Sequence, residues 1–470
     1  MARNSLNRRS GGGGWIFIVL VVAAAAIFLL QRELRLPPPA SVEVISDHAA
    51  IGRKTQVRVV VREARLGLLH AVATINGAGY SNKIVASTTR DATTADARDD
   101  IVMRFSLGKD TMADIKPGPL TLEVTVQARG TKLRQPRPVT VQQKFEVRLD
   151  PPPVKALSQF VHPAQGGAEA VVYEVGPTSK RDGVQAGSWF FPGFPLPGAP
   201  AASGQRFALF AIPYDMDVSQ PEARNQILLV AEDDLGNRNT TSFVNKLFPR
   251  PLHKDVIELK DSLMKKVTEE IYAKTPELTR KGNLLDDYLQ LNGELRRRNM
   301  TELLFLAQKS QPKFLWNDTF LRMQNAAAKG SFADRRAYMA AGKQVDTQDH
   351  LGFDLASLER APVQAANAGK IILARYFGIF GNCVVVDHGF GLMSLYAHLS
   401  SIGVKDGDAV ARGQEIGRSG STGLAGGDHL HFTLLLHGLP VTPIEWWDPH
   451  WIQDRLKLKL GDALPFKPSA

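Results

Sequence analysis

Histidine, the side chain best suited to proton transfer and metal binding near neutral pH, is concentrated at the end of this sequence. Seven of the 11 histidines lie in the last 121 residues, where an even spread would put roughly three. A site that uses imidazole chemistry is therefore expected in this part of the chain. The seven are His350, His388, His398, His429, His431, His437 and His450.

Two of these histidines, His429 and His431, open the stretch HLHFTLLLH. In an extended strand they point to one face, expected to be open, and lie about 6.6 Å apart along the chain. That separation lets both serve one site in different ways, so that one binds a metal ion while its neighbour handles a proton. The opposite face is expected to be core and carries Leu430, Phe432, Leu434 and Leu436.

Two further segments offer the remaining groups of such a site. QDHLGFDLA supplies His350 and Asp354, which a fully extended chain would separate by about 13 Å. The chain must bend between them, and Gly352 is placed to adopt backbone angles that other residues avoid. If LYAHLS forms an extended strand, His398 lies on the same face as Tyr396. His398 is then a second candidate for proton handling. A lone histidine is more often structural, but these elements together favour a catalytic metal site.

The chain begins with a short basic segment and then an apolar one. Residues 15–30 carry no charge and, with the glycines before them, reach roughly the 20 residues that span a bilayer. Because arginines come first, residues 1–14 are expected in the cytoplasm, residues 15–31 as a transmembrane anchor and everything later across the membrane. A cleaved secretory signal is the alternative, although small-residue cleavage spacing is not evident.

The exported part is expected to be mainly β up to residue 250. Period-two alternation, as in Val57, Val59 and Val61, predicts a β-sandwich over 37–150. Similar runs with more glycine and proline predict a second β domain over 154–250.

Residues 251–330 change to a helical period. One apolar stripe begins at Val256 and another at Leu284, and such a pair most often packs against its own domain, with membrane or partner docking as the alternative. If this segment covered the groove of the site, its deletion would be expected to raise activity. The histidine-rich domain then occupies 331–455, and 456–470 form a tail.

The overall charge of +10 and the pI near 9.5 favour an anionic partner, such as a membrane face or an acidic wall polymer. Nucleic acid is not expected, because the positive charge is scattered and no binding motif is visible. The single cysteine, Cys383, excludes an internal disulfide. Since it lies among β-branched residues, it is expected to be a small buried strand residue and not a reactive thiol.

Four motifs together carry a family resemblance over about residues 332–447: HLGFD, GNCVVVDHGFGLMSLYAHLS, VKDGDAVARGQEIGRSGSTG and GGDHLHF. In this order and spacing they resemble the lysostaphin-type (LytM-like) zinc endopeptidases. The resemblance implies one Zn²⁺ per chain with three protein ligands, and two catalytic histidines. The implied ligands are His350, Asp354 and His431, and the implied catalytic residues are His398 and His429. Because all five positions are filled, an active enzyme is implied.

One departure from the family pattern precedes the first ligand. Ala333 stands where relatives often have a glycine after phenylalanine, so the turn is expected to differ and the contribution of Tyr338 to the groove stays open. His388, His437 and His450 match no functional position, and we expect them to be turn or surface residues.

The resulting prediction is a mainly β protein. An antiparallel β-sheet peptidase domain with a zinc groove lies at the C-terminus, after two β-sandwich-like domains, a helical segment and an N-terminal transmembrane helix. The resemblance implies that a zinc-activated water hydrolyses peptide bonds of peptidoglycan during cell-wall remodelling. A non-catalytic wall-binding protein or an activator of other wall hydrolases is the alternative, followed by a structural, membrane-tethered β protein.

The expected partners and location follow from this prediction of a membrane-anchored peptidoglycan peptidase. Peptidoglycan is the expected substrate, the membrane is contacted through one N-terminal helix, and envelope proteins are candidate partners of the β domains. The chain is expected to be a single-pass protein of the inner or cytoplasmic membrane, with its bulk in the periplasm or cell-wall space.

Overall fold

The computed structural model describes residues 13–35, 39–62, 68–89, 101–128 and 130–468. Strands dominate these residues, which confirms the mainly β class. The chain divides into two compact units, one made of Met1–Pro151 with Asp233–Asn237 and the other of Pro152–Glu232 with Arg238–Ala470. Of the predicted cytoplasmic segment 1–14, residues 1–12 lie outside the described residues.

Helix α1, Gly13–Leu34, contains the predicted anchor. Within its stretch Gly14–Leu34 an 18-residue window has a mean hydropathy of 2.5, and within the described ranges α1 is the one helix long and apolar enough to cross a membrane. Its apolar side chains are exposed.

The remainder of the first unit consists of two antiparallel sheets around one core. Their orders are β1-β2-β5 and β4-β3-β6-β7. The predicted alternation is confirmed, since Val57, Val59 and Val61 are buried. The strands are β1 Ser41–Ser46, β2 Thr55–Arg62, β3 Leu68–Gly77, β4 Tyr80–Thr89, β5 Ile101–Leu107, β6 Gly118–Ala128 and β7 Val139–Val147.

The second unit starts with two four-stranded sheets. Their orders are β11-β10-β14-β15 and β12-β13-β9-β8. The strands are β8 Val154–Ala156, β9 Ala168–Val175, β10 Ser179–Ala186, β11 Trp189–Pro192, β12 Phe194–Pro195, β13 Gln205–Ala211, β14 Ile227–Asp233 and β15 Arg238–Ser242, with 3₁₀ turns at Ala201–Ser203 and Pro221–Gln226.

The segment predicted to be helical also contains strands. The stripe that begins at Val256 starts in a strand, because KDVIE alternates charged and apolar side chains and pairs with a neighbouring strand, and Val256 itself is exposed. The stripe that begins at Leu284 is helical, as predicted. The elements are β16 Lys254–Glu258, α2 Asp261–Lys274, α3 Leu284–Gln290, a π-helical turn Leu291–Leu295 and α4 Arg296–Ala307.

The histidine-rich part forms a large antiparallel sheet of order β17-β20-β28-β24-β23-β22-β26, with β29 on β28. Two three-stranded sheets, β16-β18-β19 and β21-β27-β25, flank it. The strands are β17 Ala327–Gly330, β18 Asp334–Ala340, β19 Lys343–His350, β20 Phe353–Ala356, β21 Pro362–Gln364, β22 Gly369–Tyr376, β23 Asn382–Gly389, β24 Leu392–Leu399, β25 Ser401–Ile402, β26 Ala409–Val410, β27 Glu415–Arg418, β28 Leu430–Leu436 and β29 Leu439–Val441.

Short helical pieces complete this unit. They are the 3₁₀ turns Gly378–Phe380 and Gly461–Ala463, the helices α5 Pro443–Trp446, α6 Pro449–Trp451 and α7 Leu458–Leu460, and the π-helical turn Ile452–Lys457.

Both faces of the large sheet are covered. The predicted core face of β28, with Leu434, packs into a cluster that continues to Phe207 of the second β domain. The face predicted to be open carries Leu435, which packs in a second cluster with Val267 and Leu303 of helices α2 and α4. The expectation that this face of β28 is open is therefore wrong for the residues after His431, because the helical segment covers the face there.

His388 was expected at a turn or at the surface, and this is wrong. It is fully buried in β23, because the turn comes later, at Phe390 and Gly391. Both ring nitrogens have partners, Nδ1 with the carbonyl of Ala368 at 2.7 Å and Nε2 with Oγ of Ser394 at 2.7 Å. Burial lowers the pKa of His388 to about 4, so a neutral imidazole is accommodated.

The other two histidines and the cysteine lie as predicted. His437 occupies the turn between β28 and β29, and the side chain of His450 is exposed. Cys383 is fully buried in β23, where burial raises the pKa of its thiol.

Candidate metal centre

Three adjacent strands of the large sheet bring the predicted site residues together. In the pairing of β20 with β28, Asp354 lies opposite His431. In the pairing of β28 with β24, Ala397 lies opposite the same His431, so the next residue, His398, is close by. His350 ends β19, and the chain returns at once into β20.

Glycine is needed at position 352 because there is no room for a side chain, and not because of its backbone angles. Its φ is not in the left-handed region, contrary to the expectation from sequence. A Cβ atom at this position would lie 2.5 Å from Oγ1 of Thr433 and 2.6 Å from Nε2 of His431. A side chain there would therefore push His431 out of place.

The three predicted ligands converge on one point. Nε2 of His350 lies 2.9 Å from Oδ1 of Asp354 and 3.0 Å from Nδ1 of His431, and these last two atoms are 3.0 Å apart. Tetrahedral coordination with bonds near 2.0 Å would place ligand atoms about 3.3 Å apart, so the observed triangle needs to widen by only about 0.3 Å. The donor set of two imidazoles and one carboxylate is one that catalytic zinc sites use. These residues fit a zinc ion.

Both ligand imidazoles are held in the tautomer that this role requires. The Nδ1–H of His350 donates to the carbonyl oxygen of Ser331 at 2.9 Å, which leaves the Nε2 lone pair facing the other ligands. Thr433 donates its hydroxyl proton to the carbonyl of Leu351 at 2.9 Å, so its oxygen accepts from Nε2–H of His431 at 3.0 Å. The Nδ1 lone pair of His431 is thereby directed at the site. Burial lowers the pKa of His431 to about 4, which keeps it neutral.

The carboxylate ligand is oriented by an arginine. Nη2 of Arg336 donates to Oδ2 of Asp354 at 2.9 Å, which leaves Oδ1 for the convergence point. Burial alone would raise the pKa of Asp354, but the neighbouring imidazoles, His350 foremost, outweigh burial and hold this pKa well below its usual range. Asp354 is therefore ionised, as a metal ligand must be.

His398 and His429 lie beside the three ligands. Their ring centroids are 4.9 Å apart, and the ring of His398 is 5.7 Å from that of His431. Nδ1–H of His398 donates to the carbonyl of Thr422 and Nδ1–H of His429 to that of Gly427, both at 2.8 Å. The Nε2 atom of each ring is thus free of a backbone partner, and that of His429 lies 3.5 Å from Oδ1 of Asp354.

The environments of these two imidazoles differ. Burial, followed by the neighbouring His429 and His431, holds the pKa of His398 well below its ordinary value. Burial also lowers the pKa of His429, but its hydrogen bond and charge interaction with Asp354 outweigh burial, and the net shift is upward.

The predicted common face of Tyr396 and His398 is wrong. Tyr396 packs its ring against Phe432 at 5.3 Å on the core face, whereas His398 lies with His431 on the opposite face. The strand is not extended at His398, whose φ of 63° is left-handed. This backbone angle turns the imidazole toward the metal ligands.

Ala333 adopts the conformation that a glycine would favour. Its φ is 66°, and its N–H donates to the carbonyl of His350 at 2.7 Å. Tyr338 is 6% exposed and lines the cavity of the site, so it does contribute to the groove.

The site opens into a cavity of about 230 Å³. Its lining includes the predicted ligands together with His398 and His429, and it also includes residues of β16 and of the helical segment, which was predicted to pack against its own domain and was considered as a cover of the groove. The wall residues are Ile257, Leu263, Val267, Tyr288 and Arg296.

Three supporting groups had no role assigned from the sequence: Arg336, Thr433 and Arg296. For Thr433 a signal was present, because alternation in HLHFT puts it on the face of His431. For Arg336 and Arg296 no local pattern exists, since each reaches the site through pairing or packing of a distant segment.

The C-terminal part of this mainly β chain thus contains a His350, Asp354 and His431 group that could hold a metal ion, as a metallopeptidase-type domain would require. Residues 348–443 match the model of Peptidase family M23, and this C-terminal part of the chain is an M23 (lysostaphin-type) domain, which confirms the resemblance seen in the sequence.

Several known proteins are similar over this part. The chain is 43% identical over 96 residues to the peptidoglycan DD-endopeptidase ShyA of Vibrio cholerae, and 40% identical over 95 residues to the DD-carboxypeptidase/endopeptidase Mpg of Neisseria meningitidis. Each match covers 20% of this chain and 22% of the relative. A solved peptidase M23 protein from Pseudomonas aeruginosa is 21% identical, with a TM-score of 0.38, over 61% of this chain and 94% of that one.

Proposed function

We propose that this protein is a membrane-anchored zinc endopeptidase that hydrolyses peptide bonds of peptidoglycan. The observation that carries the proposal is the convergence of ligand atoms from His350, Asp354 and His431 to within 3.0 Å of one another, with two further imidazoles beside them. The names of the relatives ShyA and Mpg support peptidoglycan as the substrate. Helix α1 supports the anchor, with the remaining domains in the periplasm or wall space.

The residues of this chain would divide the work as follows. His350, Asp354 and His431 would hold Zn²⁺, which supplies Lewis-acid activation of water and of the scissile carbonyl. His398 and His429 each commit Nδ1–H to a backbone carbonyl and present Nε2 to the cavity. Nε2 of one ring accepts a proton from the attacking water, and Nε2 of the other donates to the oxyanion or the leaving amine.

The proposal is tested on the purified full chain by zinc analysis and by digestion of purified peptidoglycan. We expect about one zinc per chain in the parent and release of new peptide ends. His350→Ala should lose zinc and activity together. His398→Ala should keep zinc and lose roughly 10²- to 10⁴-fold in rate, because it removes a proton-transfer group and no ligand. His450→Ala is the matched control, since this histidine is exposed on α6.

Two outcomes would decide against the proposal. A zinc-loaded parent that binds peptidoglycan but releases no peptide ends would favour the alternative of a wall-binding protein or an activator. Unchanged hydrolysis by His350→Ala and His398→Ala would mean that the activity comes from another site. The complete ligand set is what makes the enzyme the first candidate.

A further inference from the structure

The helical segment places an arginine in the wall of the catalytic cavity. Arg296 begins α4, directly after the π-helical turn Leu291–Leu295, and lines the same cavity as the metal-ligand triad. Single π-helical turns within helices are frequent at functional sites. An occupant of this small cavity that reaches the triad therefore also reaches Arg296.

The guanidinium group of Arg296 is fixed by neutral partners only. Nε donates to the carbonyl oxygen of Asn292 at 2.9 Å, and Nη2 donates to its side-chain Oδ1 at 2.6 Å. Asn292 is fully buried and donates its own Nδ2–H to Asp346 at 2.8 Å, which locks its orientation. The N–H groups of Nη1 have no hydrogen-bond acceptor among the described residues.

The charge of Arg296 is also without a carboxylate partner. Within the described ranges no ion pair of 4.0 Å or less joins it to an acid. Asp346 is occupied by Asn292, Thr347 and Gln348, and Asp354 is held by Arg336 and the imidazoles. The guanidinium of Arg296 thus has no direct carboxylate partner among the described residues, and Asp346, the acid behind Asn292, is separated from it by that side chain.

Two tyrosine hydroxyls accompany this guanidinium. Tyr288 and Tyr338 are 3% and 6% exposed, line the same cavity, and have ring centroids 6.3 Å apart. Burial and then the neighbouring Tyr338 raise the pKa of Tyr288. Arg296 and Arg336 act to lower this pKa, and Asp346 acts to raise it, so charges of both signs lie near this hydroxyl. In the part of the chain that is described, neither hydroxyl has a hydrogen-bond partner, and neither is among the buried polar atoms that lack one.

We propose that Arg296, with the hydroxyls of Tyr288 and Tyr338, binds a carboxylate of the substrate peptide and so makes the enzyme selective for acidic peptides. A guanidinium and neutral hydroxyl donors match the two oxygens of a carboxylate. The carboxylate is either the free C-terminus of the peptide or a side-chain acid close to the scissile bond. The inference rests on the proposed function and deepens it, because it assigns a substrate group to the helical wall.

The test compares one soluble cross-linked stem peptide of peptidoglycan in three forms: with all carboxylates free, with its C-termini amidated, and with its side-chain acids amidated. The parent should cleave the free form with a kcat/KM about 10- to 100-fold above that of one amidated form, chiefly through KM, as expected for a charged hydrogen bond. The amidated form that is disfavoured identifies the source of the carboxylate. Arg296→Gln should lose most of this preference and keep at most the roughly 3- to 10-fold that a hydroxyl contributes.

Two further variants separate recognition from folding. Tyr288→Phe removes a hydroxyl that has no protein partner, so it should fold normally and reduce the preference about 3- to 10-fold. Arg297→Gln changes the exposed neighbour of Arg296 on the same helix and should keep the full preference. Equal kcat/KM of the parent for all three forms would overturn the proposal, as would an Arg296→Gln variant that keeps the preference.

A binding measurement separates this inference from the proposed function. Calorimetric titration of the full chain with the same three peptides reports the subsite even if nothing is cleaved. Tighter binding of the free form by the parent, lost in Arg296→Gln, would support the subsite although the peptidase proposal had failed. Equal dissociation constants would overturn the subsite, whatever the outcome of the cleavage assay.

Discussion

The hydroxyl of Thr433 should determine how well this protein holds a metal ion. Thr433→Val keeps the shape of a 4% exposed side chain but removes its acceptance from Nε2–H of His431 and its donation to the carbonyl of Leu351. The imidazole proton, left buried without an acceptor, costs about 1–3 kcal/mol unless the ring changes tautomer. A change of tautomer would put the proton on Nδ1, the ligand atom. Either route should weaken zinc binding about 10- to 100-fold.

The assay is competition for Zn²⁺ between the full chain and a chromophoric chelator. Thr433→Ser is the matched control, since it keeps the hydroxyl and should keep most of the affinity. If Thr433→Val bound zinc as tightly as the parent, the hydrogen bond would not be what fixes His431, and the tautomer argument would be refuted.

Three further predictions concern stability. Ala333→Gly should raise the free energy of unfolding by about 1 kcal/mol, and with it the thermal midpoint, because it relieves a left-handed φ. Burial raises the pKa of Glu445 from 4.5 to about 7. The stability that this carboxyl contributes is therefore fully present below pH 4.5, and about 3 kcal/mol of it is lost as the pH rises through 7. In Glu445→Gln the thermal midpoint should therefore fall less between pH 5 and pH 8 than in the parent. Deleting residues 251–310 should give insoluble protein without peptidoglycan-digesting activity, because Val267 and Leu303 cover the large sheet. A solubility assay and a peptidoglycan-digestion assay check this. A soluble, more active product would instead identify the segment as a removable cover.

The ligand set was predicted from the family resemblance, because local patterns left open whether His429 or His431 binds the metal, and the roles of His350, Asp354 and His431 as ligands stay predictions. The alternation in HLHFT fixed the face of His431, and the short loop between His350 and Asp354 limited where the second strand could return. Both inferences depend on neighbours within a few residues, which a sequence displays directly. The catalytic roles of His398 and His429 stay predictions.

The surroundings of the site could not be predicted in the same way. Val256 satisfies a helical stripe and a strand alternation equally over five residues, and only its pairing with β18 decides between them. Arg296 lies in the cavity because α4 packs on the large sheet. This packing joins α4 to residues such as Leu373, which are more than 50 positions away in the sequence. Such placements depend on tertiary packing, for which propensity and periodicity carry no information.

The position of His398 shows how backbone strain completes the site. Residues opposite each other in an antiparallel pair share a face, so Ala397 lies on the face of His431 and an extended His398 would point to the core with Tyr396. The left-handed φ of His398 reverses this direction at a cost of about 1–2 kcal/mol for a non-glycine residue. The hydrogen bond from its Nδ1–H to the carbonyl of Thr422 and its burial offset that cost. A residue that kept normal strand geometry would point its side chain to the core, away from His429 and the three predicted ligands, so we expect the strain to serve the site.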